Sequence, residues 1–219
     1  MSAIATRKPV GHSVPYNLGV ISLTLAVAGL ALAYGIDALG RQHAQATRAG
    51  NVSRTLGSTE LIIPAALLVG DSAPAAGGFA KQVDLSFNLP LGPGGGVRKV
   101  DVTLTQRSRI RPSASLLDGV YLHQFMPEQL SGPAGLVGKP LSAVAGYEDE
   151  TVWYDPLAAS PFVAKCQAPI VVGAPARCLR SVYLGSGLAA VYGFDEDVLS
   201  NWKRFDAELH PLLDKIGAL

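Results

Sequence analysis

Cysteine is scarce in this chain: the 219 residues contain two, Cys166 and Cys178. Two cysteines without CxxC or CxxCH spacing give neither a redox motif nor a haem attachment site, and the distant His123 and His210 do not complete a zinc pattern. Charge is scarce too, at 16% of residues, against about 25% in ordinary soluble proteins. The net charge is +1 with Lys and Arg scattered, so no basic face marks a nucleic-acid binder. An apolar share of 48% excludes a disordered chain, which needs few apolar residues and a high net charge.

Chemical motifs are missing as well. Gly185, Ser186 and Gly187 are too short for a GxSxG nucleophile elbow. The glycines at 92 and 94–96 are followed directly by Val97, Arg98 and Lys99, without the GxxxxGK[ST] spacing of a phosphate loop. HExxH, EF-hand and Rossmann fingerprints are absent. No catalytic residue, metal ligand or cofactor-binding residue is therefore assigned, and no cofactor is expected. The chain reads as a non-enzyme, although catalytic groups can converge from distant positions.

What is present begins with an uncharged stretch. No Asp, Glu, Lys or Arg occurs from Pro9 to Ile36, and residues 18–36 are apolar at their heart. Nineteen helical residues cover about 28 Å, close to the roughly 30 Å of bilayer hydrocarbon, so a transmembrane helix is expected there. A cleavable signal peptide is the alternative for residues 1–33: Arg7 and Lys8 form a basic start, and Ala31-Leu32-Ala33 offers a cleavage pattern. Arg7 and Lys8 before the span are balanced by Arg41, Arg48 and Arg54 after it, so positive charge alone does not orient it. Along the span, Gly19, Ser22, Ala26, Gly29 and Ala33 make one stripe of small residues, while Leu23, Val27, Leu30 and Tyr34 line another face. Small stripes let helix backbones approach in lipid, so this one is expected to pack against integral-membrane subunits or a second copy of the chain.

The expected division is a tail at 1–17, the span at 18–36, a juxtamembrane helix and linker at 37–57, and one extramembrane domain at 58–219. Within that domain, Val83, Leu85, Phe87 and Leu89 alternate with polar residues, as do Val100, Val102 and Leu104, on either side of a glycine-rich turn. That is a hairpin with one buried face and a flexible tip. Further strands are expected at 119–125, 151–154, 162–167, 177–184 and 187–194, with a long surface loop at 126–146. The acidic residues Glu148, Asp149 and Glu150 read as a solvated turn, and His123 as a half-buried structural side chain. Near the C-terminus, Val198, Trp202, Phe205, Leu209, Leu212 and Ile216 recur at helical spacing, with Pro211 expected to bend or divide the helix. The fold class is therefore α+β: the transmembrane helix, then an antiparallel β-rich domain covered by an amphipathic helix.

Cys166 and Cys178 each fall in an expected strand, as if on two arms of a hairpin. A disulfide between them would close a loop of about a dozen residues worth about 2–3 kcal/mol. Two buried free thiols are the other reading. The disulfide implies an oxidising compartment, hence a periplasmic domain and a cytoplasmic N-terminus. The succession ELIIP, PFVAKC, CLRSVYLGSGLAAVYGF and VLSNWKRFD resembles uncharacterised single-span inner-membrane proteins of alphaproteobacteria, which implies a bacterial inner-membrane location and no particular activity. The expected function is a non-catalytic accessory or scaffold subunit of an inner-membrane complex, in contact with the lipid bilayer. The alternative is a membrane-tethered periplasmic ligand-binding or sensor domain.

Overall fold

The computed structural model describes residues 21–23, 25–36, 50–70, 78–169, 171 and 173–219. The chain divides into two units, Met1–Arg48 and Ala49–Leu219. In the first, the described residues 21–23 and 25–36 are helical (α1) and exposed. Residues 18–20 and 24 of the expected span, and the juxtamembrane stretch 37–49, lie outside the described residues. Among the described residues no helix is long and apolar enough to cross a membrane.

The second unit is α+β, with a seven-stranded antiparallel sheet as its frame. Its strands are β4 (Gln82–Leu89), β5 (Arg98–Gln106), β6 (Val137–Pro140), β7 (Glu150–Tyr154), β8 (Val163–Gln167), β9 (Arg177–Tyr183) and β10 (Leu188–Asp195), in the order β4-β5-β10-β9-β8-β7-β6. A small sheet of β1 (Asn51–Leu56), β2 (Thr59–Pro64) and β3 (Phe79–Ala80) adds Leu56, Leu61 and Ile63 to the main core. Side chains alternate across a strand, so the inward Val83, Leu85, Phe87, Val100, Val102 and Leu104 share one face of the β4–β5 hairpin. Asp84, Ser86, Lys99, Asp101 and Thr103 occupy the other. The C-terminal stretch covers the apolar face: a 3-10 helix at Glu196–Arg204, then α3 at Phe205–Lys215, with Val198, Leu199, Phe205, Leu209 and Leu213 fully buried. A short helix, α2 (Ser113–Gly119), contributes Leu117 to a second cluster with Tyr121, Leu141, Val152 and Val163.

Several expectations change. Residues 51–56, read as linker, form β1, which turns into β2 through Gly57 and Ser58; Gly57 takes φ 65°, as a two-residue hairpin with glycine first requires. The expected strand at 119–125 is instead the end of α2 and a 3-10 turn at Tyr121–His123, where His123 is exposed rather than half-buried. The C-terminal helix does not divide at Pro211, which lies inside α3. It changes direction at Asn201, whose backbone leaves helical geometry while its amide donates to the carbonyls of Leu91 (3.1 Å) and Gly92 (2.8 Å). Those bonds, with Arg98 donating to Asp197 at 2.6 Å, hold the hairpin tip that the sequence suggests is flexible.

The supposed loop at 126–146 contains β6, whose strand character is hidden because glycine is needed there. Gly138 pairs with Trp153 across β6 and β7, and the indole lies against both Gly138 and Gly132. A Cβ at either glycine would fall within the ring's van der Waals envelope. Overpacking of this kind costs about 1–3 kcal/mol. Gly138→Ala should therefore lower stability by about that amount in denaturant unfolding, whereas Gly119→Ala, whose Cβ meets nothing within 4 Å, should not. Equal behaviour of the two variants would show that the indole is free to move aside.

Candidate functional site

The structure brings the two cysteines together. Cys166 in β8 and Cys178 in β9 are direct partners in the ladder, their Cα atoms are 3.9 Å apart, and they form a disulfide. The remaining pairs of this joint are Lys165 with Leu179 and Gln167 with Arg177, so three residue pairs carry the β8–β9 connection. Both sulfur-bearing residues are buried, at 2% and 0% exposure, which shields the bond from reductant.

Beside the disulfide, on the same face of β9, lies a buried cation. The Arg180 side chain is 9% exposed and donates to both carboxylate oxygens of Asp206 in α3, at 2.5 and 2.9 Å. Its guanidinium lies 4.5 Å from the Phe162 ring centre and 5.6 Å from that of Phe205. A two-pronged, ring-stacked guanidinium fixes orientation as well as distance, so it sets where α3 rests on the sheet. Tyr192 pairs with Arg180 across the ladder, is fully buried, and its hydroxyl has no hydrogen-bond partner among the described residues. Burial pushes this phenol far above its usual range; Arg180 pulls it partly back and Asp206 pushes it up again. Tyr121, in the second cluster, is raised to about 12 by burial, with Glu150 and then Tyr147 adding to the effect.

The opposite face of the sheet carries a surface network. Arg177 donates to Asp101 and to Asp195, the latter at 3.0 Å, and Lys99 pairs with Asp101 at 3.0 Å. Two shallow clefts open elsewhere on the surface of the described residues. One, of about 310 Å³, is lined by Ser58, Thr59, Gln106, Arg107, Ser108 and Ser186 among others. The second, of about 300 Å³, is lined by Ser113, Ser115, Ser160, Arg180, Ser181 and their neighbours. In the second, the Ser113 hydroxyl accepts from the Ser181 backbone N–H at 2.8 Å and Ser181 donates to the Arg111 carbonyl at 2.7 Å. The hydroxyls thus hold α2 against β9.

Of the other sequence candidates, Gly19 lies outside the described residues. Ser22, Ala26, Gly29 and Ala33 lie on the exposed α1, and nothing approaches within 4 Å of a Cβ placed on Gly29. Among the described residues no group of three or more His, Cys, Asp or Glu side chains is placed to hold a metal ion. The acidic run is not wholly solvated: the Glu150 side chain is 13% exposed and pairs with Lys165 at 2.6 Å. Arg180 escaped sequence reading because an arginine in an apolar strand looks like an outward residue.

The chain matches no family model and no curated protein. Among solved structures it is similar to an immunity protein of the Stenotrophomonas maltophilia type IV secretion system, at 14% identity and a TM-score of 0.51, over 77% of this chain and 93% of that one. It is also similar to the iron-regulated outer membrane lipoprotein FrpD of Neisseria meningitidis, at 8% identity and a TM-score of 0.43, over 78% of this chain and 92% of that one. At 14% identity the first likeness speaks to the fold alone.

Two outcomes follow from this geometry. Replacing both Cys166 and Cys178 with Ala should leave the sheet formed but lower stability by about 2–3 kcal/mol, and the native protein should weigh two hydrogens less than its reduced form. Two thiols that alkylate without reductant would contradict the bond. For the tyrosines, the folded state holds its phenolic protons to higher pH than the unfolded chain does. Their contribution is thus intact below about pH 10 and is lost above it, with a slope of up to about 1.4 kcal/mol per pH unit for each group. Tyr192→Phe removes an unpartnered hydroxyl, so stability at pH 7 should hold or rise and the decline between pH 10 and 12 should flatten. An unchanged alkaline slope would show that Tyr192 does not titrate with unfolding.

Proposed function

We propose that this chain is a non-catalytic accessory or scaffold subunit of a bacterial inner-membrane complex. In this reading residues 18–36 cross the membrane, the N-terminus is cytoplasmic and the Ala49–Leu219 unit stands in the periplasm. The observation that carries it is the surface of α1. Leu23, Leu25, Leu30, Leu32 and Ile36 are 62–68% exposed although they point around the helix. A helix of a water-soluble protein buries its one apolar face, whereas a helix apolar on all sides needs lipid or a partner around it. The buried disulfide adds support for an oxidising compartment, since such bonds persist outside the cytosol.

The ligand-binding alternative wants an enclosed apolar pocket, usually of about 300–1,000 Å³. The clefts of about 310 and 300 Å³ found among the described residues are shallow and rich in hydroxyls, which supports the accessory reading over that alternative.

The small stripe gives the test. Gly29→Leu would force apart any helix packed there, while Val27→Leu on the other face meets adaptable lipid tails. Gentle detergent purification should recover integral-membrane partners, or self-association, with the parent chain and Val27→Leu, and at least fivefold less with Gly29→Leu. Equal recovery from both variants would reduce the helix to a tether and move the ligand-binding reading ahead.

A further inference from the structure

Two groups of arginines stand out among the described residues. Arg98, Arg177, Arg180 and Arg204 each pair with a carboxylate: Asp197, Asp101 with Asp195, Asp206, and Glu208 respectively. Arg107, Arg109 and Arg111, within five residues between β5 and α2, have no carboxylate partner among the described residues, and all three are exposed. With Lys and Arg at 18 and Asp and Glu at 17, this is a local concentration of charge and not a consequence of a basic chain.

The segment is also held in place. The Arg107 backbone N–H donates to the Gly187 carbonyl at 3.3 Å, the Tyr183 hydroxyl donates to the Ile110 carbonyl at 3.3 Å, and the Ser181 hydroxyl donates to the Arg111 carbonyl at 2.7 Å. The Arg107 guanidinium lies 4.0 Å from the centre of the Tyr183 ring. Stacking of this kind orients a guanidinium while leaving its N–H edge free for a carboxylate. At the same end, the cleft lined by Ser58, Gln106, Arg107 and Ser108 offers further donors, and neither Asp nor Glu lines it.

We propose that residues 107–111 form a docking strip for an acidic, extended segment of a partner protein. The partner's carboxylates would pair with the three guanidiniums, one of them reaching into the adjoining cleft. The strip is short, with three arginines at alternate positions within five residues of one backbone, and its neighbouring cleft supplies hydroxyl and amide donors. Those features suit discrete carboxylates better than a broad, fluid anionic lipid surface. Only the occupant being a protein rests on the accessory-subunit reading; the unpaired charge does not.

The test uses the full chain in dodecyl maltoside with a fluorescein-labelled octaglutamate peptide, read by fluorescence polarisation. Saturable binding is expected, weakening at least tenfold between 50 and 300 mM NaCl as exposed charges are screened. Arg109→Glu with Arg111→Glu should weaken it at least tenfold, leaving Arg107 on its ring. Lys203→Glu with Lys215→Glu, both exposed on the C-terminal helical stretch, changes net charge equally and should have less than a twofold effect. An intact Cys166–Cys178 bond and an unchanged circular dichroism spectrum serve as folding controls for both pairs. No saturable binding, or equal loss in both pairs, would overturn the proposal. So would displacement of the peptide by short-chain phosphatidylglycerol at lower concentration than by unlabelled peptide, which would reassign the strip to a lipid headgroup. Peptide binding that survives Gly29→Leu, alongside a silent stripe, would retain the strip while discarding the accessory-subunit reading.

Discussion

Three residue pairs between β8 and β9 hold the seven-stranded sheet together as one sheet. By contrast, β10 shares seven pairs with β9, and β4 shares eight with β5. A joint this short has little ladder energy of its own, and everything that spans it has a cross-linking role. The disulfide ties its middle pair. On the apolar face, Arg180 next to that pair reaches the α3 carboxylate of Asp206 and the ring of Phe162, which immediately precedes β8. On the other face, α2 contacts both β8 and β9 and bonds to Ser181. A covalent bond, a buried ion pair and a helix thus converge on the one place where the sheet would otherwise come apart.

That concentration explains a local arrangement that looks unfavourable taken singly. A buried ion pair seldom adds net stability over an apolar replacement, because desolvation consumes much of the attraction. Arg180 reduces that penalty by leaving Asp206 at 42% exposure, so only the guanidinium is taken from water, and aromatic faces replace part of its hydration. Its value is directional: two parallel bonds and a stacked ring permit one placement of α3. Tyr192, squeezed beneath the same helix with an unpartnered hydroxyl, bears part of the cost of that placement.

Much of this was legible in the sequence, and the failures have physical causes. The β4–β5 hairpin, the strands β7 to β10 and the cysteine pairing were readable because alternation and spacing report directly on a half-buried antiparallel sheet. β6 was not, because Gly138 is selected by the indole it must admit, and glycine carries no hydropathy signal. β1 was not, because the buried Arg54 interrupts its alternation, although the Gly57-Ser58 turn signal was there to be read. The C-terminal periodicity located the buried residues correctly but not the break, since Asn201 bends the chain for the sake of two carbonyls more than a hundred residues upstream. Long-range polar contacts such as Arg180 with Asp206 leave no periodic trace.

The distribution of coverage bears on function. The 3-10 helix and α3 close the apolar face, and α2 covers β8 and β9 on the reverse, so among the described residues the uncovered part of the sheet is the polar face of β4 and β5. The disulfide, the Arg180–Asp206 pair and α2 together staple the frame at the β8–β9 joint. On the polar face Asp101 and Asp195 are matched by Arg177 and Lys99, whereas Arg107, Arg109 and Arg111 have no carboxylate partner among the described residues and lie on a segment held by hydrogen bonds from Ser181 and Tyr183 and to Gly187. Rigidity lowers the entropy cost of association, since the donors need not be ordered when a partner arrives. In the proposed accessory-subunit reading, such a frame would hold another chain in register, and its pre-set charge would choose which chain.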